Sequence, residues 1–183
     1  MKATGIVRRI DDLGRVVIPK EIRRTMRIRE GDPLEIYTDR EGEVIFKKYS
    51  PIGELASFAA QYAETLQKTC GMSIVVTDRD AVIAVAGVSK KEYLERRISE
   101  ALEDVMETRS LYRYHAGQEK LRLIEDGGSH TLRCAMPILA EGDIIGVVCS
   151  VESDAAPSAM PPEETEQKLI QTAAGFLARQ MET

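Results

Sequence analysis

The stretch LGRVVIPKEIRR, Leu13–Arg24, decides how the start of the chain folds. The pair Leu13-Gly14 offers a turn, and the RVVI that follows is typical of a short strand. Pro19 then stands where a helix can begin, because the fixed φ angle of proline suits a first helical turn. We therefore predict a turn, a strand and a short helix over KEIRRTM in direct succession.

The segments on either side of this stretch also predict short elements. TGIVRRI, residues 4–10, alternates as a strand does, and PLEIYTD and EVIFKKY are two more short strands joined by the polar turn REGE. Such short strands and one short helix bury too little surface to form a core from a single chain. We therefore expect residues 1–50 to be an all-β domain in which hairpins of two chains interleave around one shared core.

The charge of the chain is unevenly distributed. The 183 residues carry a net charge of −5, yet residues 1–29 hold nine Lys/Arg against three Asp/Glu, and residues 51–183 hold thirteen against twenty-one. Arginine outnumbers lysine seven to two in residues 1–29, and its planar fork of donors matches phosphate oxygens and the edge of guanine. A solvated charged surface is the alternative interpretation, but the local basicity in an acidic chain favours nucleic-acid binding.

The composition argues against several other classes of protein. The longest apolar runs, AVIAVAGV and IIGVVCSV, are far shorter than the ~20 residues that span a bilayer, and the start of the chain has no secretory signal. Cys70, Cys134 and Cys149 form no CxxC pair, which argues against a disulfide framework or a zinc site. We therefore expect a cytoplasmic protein with free thiols, no metal site and no membrane partner.

The pattern changes at Pro51, from a period of two to a helical period. Long helices are predicted near residues 52–70, 89–109 and 163–181, with Gly71 ending the first and Ser89 capping the second. A hairpin around Asp78-Arg79-Asp80 and three later strands complete the order α-β-β-α-β-β-β-α. Residues 51–183 are therefore predicted to be a second, α+β domain with a largely antiparallel sheet and flanking long helices.

The first domain also resembles a known family. TGIVRRIDDLGRVVIPKEIRRTMRIREGDPLEIYTDREGEVIFKKY, residues 4–49, is similar to the AbrB family of bacterial transition-state regulators, and LGRVVIPKEIRR is its most specific segment. The resemblance implies a swapped-hairpin dimer that binds double-stranded DNA through its arginines. At the matching positions, the implied DNA-binding residues are Arg8, Arg9, Arg15, Arg23 and Arg24.

One position departs from that family. Members often have glycine just after the short helix, where a left-handed C-cap is easiest, and this chain has Arg27. We expect either another conformation or mild strain at the helix end, and an additional basic contact from Arg27.

The order of helices and strands after Pro51 is similar to that of a GAF domain, a small-molecule-sensing and dimerisation module. An AbrB-like domain followed by a GAF-like domain resembles a family of transcription factors from spore-forming bacteria. The resemblance implies activation and repression of late sporulation genes in the forespore. It also implies a homotetramer, with dimers formed through residues 1–50 joined through the helices near 52–70 and 163–181.

The two terminal helices of the second domain carry small residues, which allow close helix packing between subunits. These residues are Ala56, Ala59, Ala63, Ala173, Ala174 and Gly175. The alternative is that both helices simply cover their own sheet. A small-molecule effector of this domain is expected from the resemblance alone, and no cyclic-nucleotide signature, haem ligand or chromophore cysteine identifies a cofactor.

Two other functions compete with DNA-binding regulation. Some antitoxins share the swapped-hairpin segment but end in a short acidic tail, unlike this chain. Some GAF-fold enzymes reduce free methionine sulfoxide through cysteines, which need exposed, electropositive surroundings. Cys134 and Cys149 lie in apolar strand patterns, and no catalytic residues are evident, so we do not expect an enzyme.

Overall fold

The chain divides into two compact units, Met1–Tyr49 and Ser50–Thr183. The computed structural model describes residues 4–153 and 160–182, except for the side chain of residue 54.

From residue 4 onwards, the first unit contains one helix, α1 (Lys20–Thr25), and the antiparallel hairpin of β1 (Leu34–Thr38) and β2 (Val44–Lys48). The strands predicted at TGIVRRI and RVVI are not formed in the described part of this unit, which corrects that expectation. A strand needs a hydrogen-bonded neighbour. Across the tight turn, the backbone bonds run only between Asp11 and Arg15 and between Gly14 and Asp11 within residues 4–18.

The first unit leaves its apolar side chains in solvent. Val7 is 85% exposed and Val17 is 71% exposed, although both belong to strand-like patterns. The exposed large apolar residues in the described part of this unit are Ile6, Val7, Ile10, Leu13, Val16, Val17, Met26, Ile36, Tyr37, Val44, Ile45, Phe46 and Tyr49. One chain therefore does not build a closed core here, as the short elements predicted.

The second unit is built on a six-stranded sheet. Its strands are β3 (Ser73–Thr77), β4 (Val82–Ala86), β5 (Tyr112–Arg113), β6 (Arg122–Ile124), β7 (Gly127–Ala140) and β8 (Asp143–Ser153). They lie in the order β4-β3-β8-β7-β5, with β6 beside β7, and every pairing is antiparallel. The predicted α+β architecture with an antiparallel sheet is therefore confirmed.

Helices cover both faces of this sheet. One face packs against α2 (Ala56–Cys70), which follows a 3-10 turn (Pro51–Leu55), and against α5 (Glu163–Met181). The other face packs against α3 (Lys90–Tyr93) and α4 (Glu100–Glu107). None of the helices among the described residues is long and apolar enough to cross a membrane.

The small residues of α2 and α5 are largely used within the chain. Ala59, Ala63, Ala173 and Ala174 are buried in the core beneath the sheet face that these helices cover. Between the helices, the ring of Phe176 stacks on Phe58 and Tyr62 with centroid distances of 5.4 Å. The four buried alanines therefore serve the packing of each helix on its own sheet.

The long helix predicted over residues 89–109 is wrong, because it is split into α3 and α4. The residues between them pair with strands: Val82 N–H donates to the Arg96 carbonyl, and Ser99 N–H donates to the Leu123 carbonyl. Ser89 makes no side-chain cap, whereas the Ser99 hydroxyl accepts from Leu102 N–H and begins α4. These long-range backbone bonds outcompete the local helical pattern.

Candidate nucleic-acid interface

A preformed turn presents Arg15. The Asp11 carboxylate accepts from the backbone N–H groups of Leu13 (3.0 Å) and Arg15 (2.8 Å), and also from Arg15 Nε (2.8 Å). The backbone N–H of Arg15, followed by its guanidinium, lowers the pKa of Asp11. The Arg15 side chain nevertheless stays 70% exposed. The turn therefore holds one end of Arg15 and leaves its guanidinium accessible.

The helix α1 presents two further arginines. Pro19 precedes it, as predicted, and Arg23 and Arg24 lie in its last turn, both exposed. Glu21 lies in the first turn, so the charges follow the polarity of the helix dipole. Adjacent side chains on so short a helix point in different directions, which suits contacts to more than one phosphate.

The end of α1 keeps the left-handed conformation without a glycine. Arg27 has a φ of 50°, Ile28 N–H donates to the Arg23 carbonyl (2.8 Å), and Arg27 N–H donates to the Arg24 carbonyl (3.2 Å). These two bonds are those of a Schellman C-cap with Arg27 at the position that glycine usually takes. Of the two outcomes expected here, strain at an unchanged helix end is the one observed.

A side-chain clip from β2 supports that strained position. Lys48 Nζ donates to the Arg27 carbonyl (2.8 Å) and lies 3.4 Å from Asp32 Oδ2, which in turn accepts from Arg29 N–H (2.8 Å). The Asp32 side chain is only 5% exposed. The clip fixes the helix end against the hairpin, and so fixes the base from which Arg23 and Arg24 project.

Arg8 and Arg9 lie before the turn and are both exposed. The described contacts place Arg23 and Arg24 on one helix end and Arg15 on a separate turn, and none of these contacts joins the three. Sequence reasoning missed Asp11 and the clip formed by Lys48 and Asp32. The DxxG pattern of Asp11-Gly14 is a turn signal that points to the first, whereas no local signal points to the second.

Two thiols of the second unit, Cys134 and Cys149, lack the surroundings of a reactive cysteine. Cys134 is buried, and burial raises its pKa to about 12. Burial also raises the pKa of Cys149, which lies on the other side of the sheet. Both groups are therefore protonated thiols near neutral pH, in contrast to a nucleophilic cysteine. Among the described residues, no cluster of three or more His, Cys, Asp or Glu side chains is arranged to hold a metal ion.

Comparisons with family models match both units. Residues 54–182 match the model described as "Stage V sporulation protein T C-terminal, transcription factor". Residues 7–53 match the model described as "Antidote-toxin recognition MazE, bacterial antitoxin".

Among curated proteins, the chain is 56% identical over 186 residues to Stage V sporulation protein T of Bacillus subtilis (strain 168), covering 100% of this chain and 99% of that protein. Over 51 residues it is 65% identical to the transition state regulatory protein AbrB of the same organism, covering 28% of this chain and 52% of that protein.

Two solved structures are similar to separate parts of the chain. The N-domain of the transcription factor AbrB is 65% identical, with 27% of this chain and 92% of that chain covered and a TM-score of 0.25. The GAF domain of a phosphoenolpyruvate-protein phosphotransferase from Coxiella burnetii is 17% identical, with 68% and 80% covered and a TM-score of 0.48.

Proposed function

The chain belongs to the stage V sporulation protein T family of transcription factors, and from that premise we propose that its first unit binds specific double-stranded DNA sequences to regulate transcription. The observation that carries the proposal is the set of exposed arginines on a short basic segment of an otherwise acidic chain. They are Arg8, Arg9, Arg15, Arg23 and Arg24. Arginine at such positions neutralises phosphates and reads guanine.

The DNA-binding form is a dimer of first units. The exposed apolar side chains of this unit, Val7 and Val17 among them, have too little cover in one chain to be stable in water. Interleaving the hairpins of two chains buries these side chains together and supplies neighbours for the segments 4–10 and 15–18. A two-fold dimer then presents two copies of each arginine to a two-fold DNA site.

The second unit joins the dimers and senses a signal in this proposal. Because four of the six small residues of α2 and α5 are buried on their own sheet, the proposed contact between dimers uses the outer sides of these helices. There Phe176 is 37% exposed, and it stacks on Phe58 and Tyr62. This places a partly exposed aromatic cluster where a homotetramer contact is proposed.

We further place the protein in the cytoplasm of the forespore, where it activates some late sporulation genes and represses others. This setting follows from family membership. A protein-binding antitoxin remains the second candidate because residues 7–53 match an antitoxin model. In this chain, however, the matched segment leads into a folded sheet unit, where a toxin-binding tail is typically short and flexible.

Salt-dependent DNA binding tests the main proposal. The probe is a labelled duplex selected by the protein from random-sequence DNA, and binding is measured by fluorescence anisotropy at several salt concentrations. If a dimer neutralises ~6–8 phosphates, log affinity should fall with log salt at a slope of roughly −5 to −7. Arg15→Ala and Arg23→Ala should each weaken binding and flatten the slope.

Lys168→Ala serves as the matched control, since Lys168 is an exposed cation in the second unit that pairs with Glu164. It should bind as the wild type does. Sedimentation should show the same oligomer for all variants, so that a loss of affinity reports on DNA contact. Unchanged affinity in both arginine variants would refute the proposed interface.

A further inference from the structure

The second unit contains a polar cavity of about 50 Å³ between β5, β7 and the first turns of α5. Two arginines, Arg113 and Arg133, and two carboxylates, Glu163 and Glu166, contribute to its wall. A water molecule needs only ~10–15 Å³ of such space, so the cavity has room for a small polar ligand. All of its lining residues belong to the second unit, so the cavity shares no residue with the candidate DNA interface.

The charged groups on one side of the cavity are already paired with one another. Glu166 is 3% exposed, and its two oxygens accept from Arg133 Nε (3.2 Å) and Arg133 Nη2 (3.0 Å). The Ser150 hydroxyl donates to the same carboxylate, and Glu152 lies 3.6 Å from Arg133 Nη1. The bond to Glu166 raises the pKa of Arg133, which therefore stays a cation. Arg133 and Glu166 are therefore already paired within the protein and are not available to bind a ligand.

The other side of the cavity is incompletely bonded. Arg113 Nη1 lies 3.0 Å from Glu163 Oε2, and Arg113 Nη2 lies 3.2 Å from His115 Nδ1. Arg113 Nε is buried and has no hydrogen-bond partner among the described residues. Buried donors in native proteins are almost always paired, so an unpaired guanidinium N–H beside a cavity marks the place of a missing acceptor.

The carboxylate that Arg113 does hold is weakly held. The Glu163 side chain is 62% exposed, and an exposed ion pair is the least stabilising kind because water screens it. Glu163 bonds through one oxygen in this pair, whereas an arginine fork prefers a bidentate carboxylate. Glu163 therefore partly neutralises Arg113 at Nη1 and leaves its Nε edge without a carboxylate.

We propose that this cavity binds a small monocarboxylate, which bonds Arg113 through Nε and Nη2, the edge that His115 shares, while Glu163 on Nη1 competes with it through its charge. The mixed charges of the wall disfavour a dianion, because Glu166 and Glu152 remain close to the bound group. The cavity is large enough for a carboxylate group, and any larger substituent of the ligand would extend out of the cavity. This cavity is where we locate the sensing role proposed for the second unit. Binding of the carboxylate does not depend on DNA binding.

The test is a titration of the full-length protein with sodium acetate, at constant ionic strength balanced with sodium chloride. The readout is the backbone N–H NMR signals of Cys134 and Gln167, which line the cavity and are present in every variant. We expect a saturable shift for the wild type and none for Arg113→Lys, which keeps the charge but lacks the fork. Thermal unfolding of each variant checks that it is folded, and Arg113→Gln is the second variant if Arg113→Lys is not.

The sharpest comparison is between two neighbouring glutamates. Glu163→Gln removes the competing carboxylate and should bind acetate roughly fivefold more tightly, the effect of losing an ion pair of ordinary surface strength. Glu164→Gln is its matched control, since Glu164 is also exposed in the first turn of α5 but pairs with Lys168 outside the cavity. It should bind as the wild type does.

Three results would overturn the inference. One is the absence of a saturable shift in the wild type, which would leave the cavity as a hydration site. Another is equal acetate affinity in Glu163→Gln and Glu164→Gln. The third is phosphate binding as tightly as acetate at the same ionic strength, because the wall would then select no carboxylate. Each result concerns the second unit and leaves the DNA-binding proposal to be judged separately.

Discussion

The end of α1 offers a direct test of how the first unit is built. Arg27 sits at a φ of 50°, a conformation that costs a residue with a Cβ atom ~1–2 kcal/mol and costs glycine almost nothing. Arg27→Gly should therefore remove this cost from the folded state. Glycine also makes the unfolded chain more flexible, which lowers the free energy of unfolding by ~0.4–1 kcal/mol. We expect a net stabilisation of about 0.5–1 kcal/mol.

The C-cap geometry explains why Arg27→Gly should increase the stability of the first unit. Backbone bonds from Arg27 and Ile28 and the bond from Lys48 Nζ to the Arg27 carbonyl involve no atom of the Arg27 side chain. They therefore persist in both Arg27→Gly and Arg27→Ala. Alanine keeps the Cβ atom and with it the strain, so Arg27→Ala is the matched control and should be less stable than Arg27→Gly by ~1 kcal/mol.

Urea unfolding of the full-length chain measures this difference. NMR signals of the first unit separate its transition from that of the second unit, and linear extrapolation gives the free energy of unfolding. All variants are compared at one protein concentration, because dimerisation would make stability depend on it. If the glycine and alanine variants agreed within about 0.3 kcal/mol, the strain assigned to Arg27 would be refuted.

Three further outcomes follow from the second unit. Arg133→Met should lower stability by about 3–5 kcal/mol in thermal unfolding, because it leaves the buried Glu166 without its partner; a loss below ~1 kcal/mol would contradict the buried pair. A thiol reagent at pH 8 should modify the half-buried Cys70 in the native protein and Cys149 only after unfolding, and rapid native labelling of Cys149 would be inconsistent with its burial. Gly146→Ala should destabilise the protein strongly, because the added Cβ would lie 2.1 Å from the Thr77 carbonyl oxygen. Gly175→Ala should stabilise it by ~0.5–1 kcal/mol, because Gly175 faces open space on α5. If Gly146→Ala were the more stable variant, this packing would be disproved.

Elements that depend on local pattern could be predicted from the sequence. The hairpin of β3 and β4 forms where two short apolar runs flank a polar turn, and α2 ends at Gly71 in the left-handed conformation. The helix α5 follows a helical apolar period throughout its length. In each case the signal is contained within one short window of sequence.

Elements that depend on distant partners could not be predicted in the same way. The residues between α3 and α4 read as helix, but their backbone groups bond to β4 and to the start of β6, far away in sequence. Strand-like residues before α1 have the right alternation, yet a strand forms only where a neighbour supplies the ladder.

The candidate sites follow the same division. The arginines of the first unit stand out because composition and charge are local properties. The pairing of Arg133 with Glu166 and the unpaired Arg113 Nε depend on how α5 packs on the sheet. No spacing in the sequence marks that arrangement.

Genome-wide mapping of bound DNA in sporulating cells tests the central claim most directly. The wild type is compared with Arg15→Ala expressed at the same level, because Arg15 is the arginine that a preformed turn leaves 70% exposed. We predict sharp sites that share a sequence motif for the wild type and the loss of those sites for Arg15→Ala. Identical maps for the two proteins, or no enriched sites for the wild type, would contradict the account.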